Sequence, residues 1–282
     1  MSAVYAHAWN RAWREFILSH EGSQDQTFYL IGALVALGFL WTGRDRDVAG
    51  LDIAYASVAM PAILTMIAAM GFTMGPMFAI AQEREDGTVL RMRNAPRGLS
   101  VYLTAQVFLN ILGAVPMLVV LIVPAVGFLG AQSAHGAVGW IAAAGFLVLG
   151  AVVLLSLGIA LGCLVPDARR AATWGLIPVV LMMVVSGVFN PVQNLWGWLQ
   201  PIAQSLPLYW LGHGMRWSLL PDEAASVEVG GQWRPVAAVA VLAVWAVASV
   251  IAARLALRHV AAHQSGSAVA RARDDVAQAA VR

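Results

Sequence analysis

From Gly98 to Pro166 this chain carries no Asp, Glu, Lys or Arg, and the same holds from Ile53 to Gln82. An apolar helix needs about 20 residues, at ~1.5 Å rise each, to cross the hydrocarbon of a bilayer. The longer run therefore holds two crossings and the shorter run one. Charged residues are 11% of the chain and hydrophobic residues 60%, whereas a soluble domain carries about 25% charged residues. The pattern places the chain in a membrane as an all-α integral protein.

Six spans fit the uncharged runs: 26–43, 53–81, 100–129, 137–164, 171–188 and 235–253. The third and fourth are divided at Gly130-Ala131-Gln132-Ser133-Ala134-His135-Gly136. Three regions follow, with 1–25 before the spans, 26–257 containing them and 258–282 as a tail. An even number of crossings puts both termini on one side. All 17 basic residues are Arg, and only Arg44, Arg46, Arg216 and Arg234 fall on the side opposite the termini. The excess of Arg faces the cytoplasm in such proteins, so both termini and the Glu83–Arg97 island are expected there. A multi-pass place in a bacterial plasma membrane is expected, and a net charge of +2 gives no reason to expect a nucleic-acid partner.

In the first 25 residues, Arg11, Arg14, Glu15, Glu21 and Asp25 interrupt any apolar core of a cleavable leader. Tyr5, Trp9, Trp13, Phe16 and His20 recur at helical spacing with Arg11, Arg14 and Glu15 on other faces. This predicts an amphipathic helix lying in the inner headgroup layer; packing against the neighbouring spans is the plainer alternative. The spans hold no carboxylate or histidine relay of the kind proton-coupled transporters use. No GxxxxGK[ST] phosphate loop is present either. His259 and His263 have metal-ligand spacing but no third ligand nearby, and Cys163 is single, so no internal disulfide forms. No metal or cofactor is expected on the chain. Uphill transport would need energy from another subunit.

The dense charged island after the second span reads Glu83-Arg84-Glu85-Asp86-Gly87-Thr88-Val89-Leu90-Arg91-Met92-Arg93-Asn94-Ala95-Pro96-Arg97. Asp86-Gly87-Thr88 predicts a turn with Thr88 capping a short helix that Pro96 stops. Taken alone, it is equally an Arg-rich inner loop that only fixes topology. On the second span, Met66, Met70 and Met74 share a face. Their flexible thioethers suit varied apolar ligands and also ordinary packing. Gly71 with Gly75, and Gly158 with Gly162, are small-xxx-small pairs that let helices approach closely. The segment 189–217 is rich in Trp and broken by Pro191, Pro201 and Pro207, which predicts two short helices dipping into the outer leaflet. An aromatic belt is the simplest reading of Trp210 and Trp217.

The Glu-Arg-Glu-x-Gly-Thr run, the basic segment after it and Pro96 resemble the coupling-helix region of ABC-2-type permeases, the membrane subunits of ABC exporters such as the daunorubicin-resistance systems. Ser186-Gly187-Val188-Phe189-Asn190-Pro191, Leu195-Trp196-Gly197-Trp198-Leu199 and Leu206-Pro207-Leu208-Tyr209 resemble the same family's outer re-entrant hairpin between spans five and six. Val89, Asn190 and Trp196 depart from its usual residues.

The resemblance implies two six-span subunits, identical or related, above two ATP-binding subunits that carry ATP and Mg. Glu83, Arg84, Glu85, Gly87, Thr88 and Arg91 would couple to the ATPase, and the first helix would give a second contact. Phe189, Pro191, Trp196 and Trp198 are read as an outer gate, and Met66, Met70 and Met74 as a substrate path. The aliphatic, Met-rich spans suggest efflux of an amphipathic or lipophilic, antibiotic-like compound. Export of a lipid or lipid-linked glycan is the nearest alternative. A membrane enzyme using His213, Arg216, Asp222, Glu223 and Glu228 at the outer loop is a rival of another class, and a secondary transporter is a third.

Overall fold

The computed structural model describes residues 2–21, 23–43, 55–88 and 98–263, and no strand occurs among them. The helices are α1 (Ser2–Glu21), α2 (Ser23–Thr42), α3 (Tyr55–Glu85), α4 (Gly98–Phe128), α5 (Gly136–Leu164), α6 (Ala168–Trp174), α7 (Leu176–Val185), α8 (Leu199–Ser205), α9 (Pro207–Leu219) and α10 (Pro235–His263). Short 3-10 turns fill Val192–Asn194 and Asp222–Val227. Five helical stretches are long and apolar enough to cross a membrane: Tyr55–Glu85, Ser100–Phe128, Gly136–Leu164, Ala168–Val185 and Pro235–Ala262. Within α2 the apolar part is the shorter Leu30–Thr42.

Several boundaries differ from the sequence expectation: the last helix, expected to end near 253, runs on to His263. The second span continues as helix through Gln82 to Glu85, because nothing there breaks the backbone until Gly87. The fifth span is two helices that meet at Gly175. Pro178 lacks the amide that would bond the Trp174 carbonyl four residues before it, and the glycine at the break leaves room for Met77, whose Cε would stand 2.1 Å from a Cβ there.

The bundle is organised around α5, which packs against α3, α9 and α10. Its glycines allow this. A Cβ at Gly158 would lie 2.3 Å from the Thr73 carbonyl oxygen, and one at Gly150 2.7 Å from Leu211 Cδ2. The Gly158–Gly162 pair is thus used within the chain, as its spacing suggests. The Gly71–Gly75 pair is not: both residues are exposed, and a Cβ at Gly71 meets nothing within 4 Å.

Polar contacts define two ends of the bundle. At one end, here the base, Arg11 of α1 lies 3.6 Å from Glu83 of α3. Ile80, Tyr102, Cys163 and Leu257 pack there in one cluster from α3, α4, α5 and α10. At the other end, the crown, the Gln132 amide donates to Ser57 Oγ, which donates to the Gly130 carbonyl. Ser133 Oγ donates to the Ser218 carbonyl there, and the Ala134 amide to that of Leu219. Phe39 of α2 reaches the crown end of α3, with its ring 6.2 Å from Tyr55. α1 lies along α4; Ala8 and Ala12 are buried, Trp9 meets Phe108 edge-on at 5.6 Å, and Tyr5 and Trp13 stay about half exposed.

Candidate functional site

At the base, the helix signal of α3 ends where the sequence predicts a turn. The Asp86 amide still bonds to the Gln82 carbonyl, and Gly87 takes φ 73°, the left-handed conformation that closes a helix at little steric cost. Thr88 is already helical. Arg91 and the rest of the expected short helix, residues 89–97, lie outside the described residues.

The three charges before this turn are half-buried and make contacts within the chain. Glu83 lies beside Arg11, whose Nε donates to Glu15 and whose guanidinium sits 5.3 Å from the Tyr102 ring centre. Arg84 Nη1 donates to the carbonyls of Gly162, Cys163 and Val165 at 3.2, 3.0 and 2.6 Å. Glu85 Oε1 accepts the Ala168 amide at 2.8 Å. A helix leaves its last carbonyls and first amides unpaired, and these side chains fill those vacancies on α5 and α6. Asp167 completes the second cap by accepting the Arg170 amide at 2.7 Å.

The Met66, Met70 and Met74 side chains are half-buried against the main core. They share a face of α3, and each contacts the chain's own interior. At the crown, Phe189, Pro191, Trp196 and Trp198 are exposed, and the two indoles stack at 5.9 Å. α8 and α9 are the two short helices expected in this segment. Trp210 departs from the belt reading. It is only 6% exposed, and its Nε1 donates to the Gln204 carbonyl, in the last turn of α8, at 2.7 Å.

A second polar cluster, hidden at the crown, joins α9 to the chain leading into α10. Glu228 accepts from Arg216 Nε on Oε1 and from His213 Nδ1, at 2.9 Å, on Oε2; Tyr209 Oη is 3.4 Å from Oε2. The Arg234 amide donates to His213 Nε2 at 2.9 Å. That contact assigns the single ring proton to Nδ1. Burial pushes the Glu228 carboxyl up, but the His213 hydrogen bond and the Arg216 guanidinium pull it down further, to about 2. The Arg234 guanidinium donates to the Val229 carbonyl and stands over Trp210 at 5.5 Å. Trp245 of α10 donates to the Ser205 carbonyl.

His213 is 0% and Glu228 2% exposed, so the pair presents no surface to a substrate and acts as a clasp. The sequence named His213, Arg216 and Glu228 only as residues an enzyme would need. The 4 and 3 spacing of Tyr209, His213 and Arg216 on one helical face was the signal of a shared partner. Among the described residues no group of three or more His, Cys, Asp or Glu could hold a metal.

No curated protein matches the chain. The family model described as ABC-2 type transporter matches residues 5–220, which takes in α2 to α9 and all but the start of α1. The chain is a member of the ABC-2 type transporter family, the membrane component of ABC transporters.

Proposed function

We propose that this chain is the permease subunit of an ATP-driven exporter that moves an amphipathic or lipophilic, antibiotic-like compound out of the cytoplasm or inner leaflet. ATP and Mg belong to a separate ATP-binding subunit, and a second permease subunit, a copy or a relative, completes the pathway. The observation that carries the reading is the charged turn at Asp86–Thr88. It lies at the end of the bundle that also holds α1 and the end of α10, inside a chain of ABC-2 type. An ATPase docking there would bear on the turn and the segment to Arg91, with Glu83, Arg84 and Glu85 fixing that segment to the bundle.

We assign the base to the cytoplasm because it collects most of the arginines. α2 is taken as the first of six crossings in a bacterial plasma membrane. This is supported by α1 touching the base while Phe39 reaches Tyr55 at the crown. Met66, Met70 and Met74 are proposed to meet substrate, and the exposed Phe189, Pro191, Trp196 and Trp198 to gate its exit.

The test is purification of the tagged chain in mild detergent from its host, with mass spectrometry of what accompanies it. A stoichiometric ATP-binding subunit is expected. A chain that emerges alone, where known complexes of this type survive, would overturn the reading.

A further inference from the structure

Arg84 and Glu85 are neighbours in sequence, yet they serve opposite ends of two helices. Arg84 holds carbonyls in and just after the last turn of α5, where the negative end of the helix dipole favours a cation. Glu85 holds the first amide of α6, where the positive end favours an anion. Only Val165, Pro166 and Asp167 separate those helices. One turn of α3 therefore grips both sides of a short joint.

The packing beside this grip leaves no slack. A Cβ at Gly162 would stand 2.0 Å from Ile80 Cγ2 and 2.6 Å from the Met77 carbonyl oxygen. α5 in turn meets α9 through Gly150 against Leu211 and Phe146 against Gly214. Close-packed interfaces transmit displacement because they deform little. The base end of α3 cannot tilt without carrying the α5–α6 joint or breaking four hydrogen bonds.

We propose that Arg84 and Glu85 are positioning residues that carry a displacement of the Asp86–Thr88 turn at the end of α3 into the α5–α6 joint, so that α3, α5 and α6 move as one unit. The inference rests on the reading of the chain as a permease driven by an ATP-binding subunit. It adds where the push goes: into the central helix and from there to α9 at the crown.

Cys163, the single cysteine, lies in this joint and is 7% exposed, so it reports on the joint without engineering. The complex with its co-purifying ATPase is treated with methyl methanethiosulfonate, with and without ATP plus vanadate, and modification of Cys163 is timed. In the wild type, trapping changes that rate by about threefold or more. In Arg84→Gln the two rates converge.

Ala168→Pro is a second, gentler variant. Ala168 is the first residue of α6, and Asp167 before it is extended at φ −146° and ψ 163°. Proline fits such a position and removes the amide that Glu85 accepts. Its response should also flatten, while Glu85→Gln, which keeps an acceptor oxygen, should retain it. If Arg84→Gln does not assemble, the comparison of Ala168→Pro with Glu85→Gln decides. A wild-type rate indifferent to trapping, or a change of equal size in wild type and both disrupting variants, overturns this proposal alone. Failure of any ATP-binding subunit to accompany the wild-type chain sinks the permease reading and this proposal with it.

Discussion

Glu228 has a guanidinium on one carboxylate oxygen and an imidazole on the other, in a site 2% exposed. Truncating one partner of such a pair leaves a buried charge without compensation, at about 3–5 kcal/mol. Glu228→Gln is therefore expected to lower the thermal midpoint of the purified protein by several degrees. Glu223→Gln, an exposed neighbour in the same turn, should stay within about 0.5 kcal/mol of wild type. Equal midpoints for the two variants would mean the clasp does not hold the crown.

The same carboxyl also sets a pH dependence. Its folded value of about 2 lies below the ordinary 4.5, so its contribution is fully present above pH 4.5. It fades as the pH falls through that window towards 2. At 1.36 kcal/mol per unit this is about 3 kcal/mol. Limited proteolysis should find the crown segment opening between pH 4.5 and 2 in wild type, and already open at neutral pH in Glu228→Gln. A wild-type crown that stays closed at pH 2 would contradict the assignment. At this scale the sequence displays Tyr209, His213 and Arg216 on one face but not the acid that joins them. Glu228 lies across a loop whose path only tertiary packing decides.

The long helices α3, α4, α5 and α10 were legible because their uncharged runs are long enough to leave one reading, and the break near Gly130 carries its own turn residues. What periodicity could not show is which close-packing pair is used inside the chain. Gly71–Gly75 and Gly158–Gly162 have identical spacing, yet only the second is pressed against another helix's backbone, because α5 is the helix that others surround. The two pairs should respond oppositely to added methyl groups. Gly158→Ala drives a Cβ to within 2.3 Å of the Thr73 carbonyl oxygen. Forcing an oversized group into such a contact costs about 1–3 kcal/mol, read as a lower midpoint. Gly71→Ala meets open space, and alanine favours a helix over glycine by about 1 kcal/mol, so its midpoint should hold or rise. A loss at Gly71 as large as at Gly158 would mean that another surface closes on that face. The break at Gly175, by contrast, had a local signal: Pro178 has no amide to give the Trp174 carbonyl, four residues before it.

For the molecule as a whole, sidedness is the property that sequence and structure constrain by independent routes. Arginine counts assign the Glu83–Arg97 turn and both termini to one side, using charge alone. Contacts group the described parts of these segments without any reference to charge balance, since Arg11 reaches Glu83 and Leu257 packs with Ile80 and Cys163. The two routes agree on the grouping, but only the first says which side faces the cytoplasm. In a Cys163→Ala background, Ala134→Cys places an exposed thiol at the crown and Arg169→Cys one at the base. A membrane-impermeant maleimide applied to intact cells should modify the first and reach the second only after permeabilisation. The reverse pattern would invert the molecule and put the charged turn beyond the reach of a cytoplasmic ATPase. Labelling of both from outside would mean that the joint between α5 and α6 is open to that face, and the permease would then need a different drive.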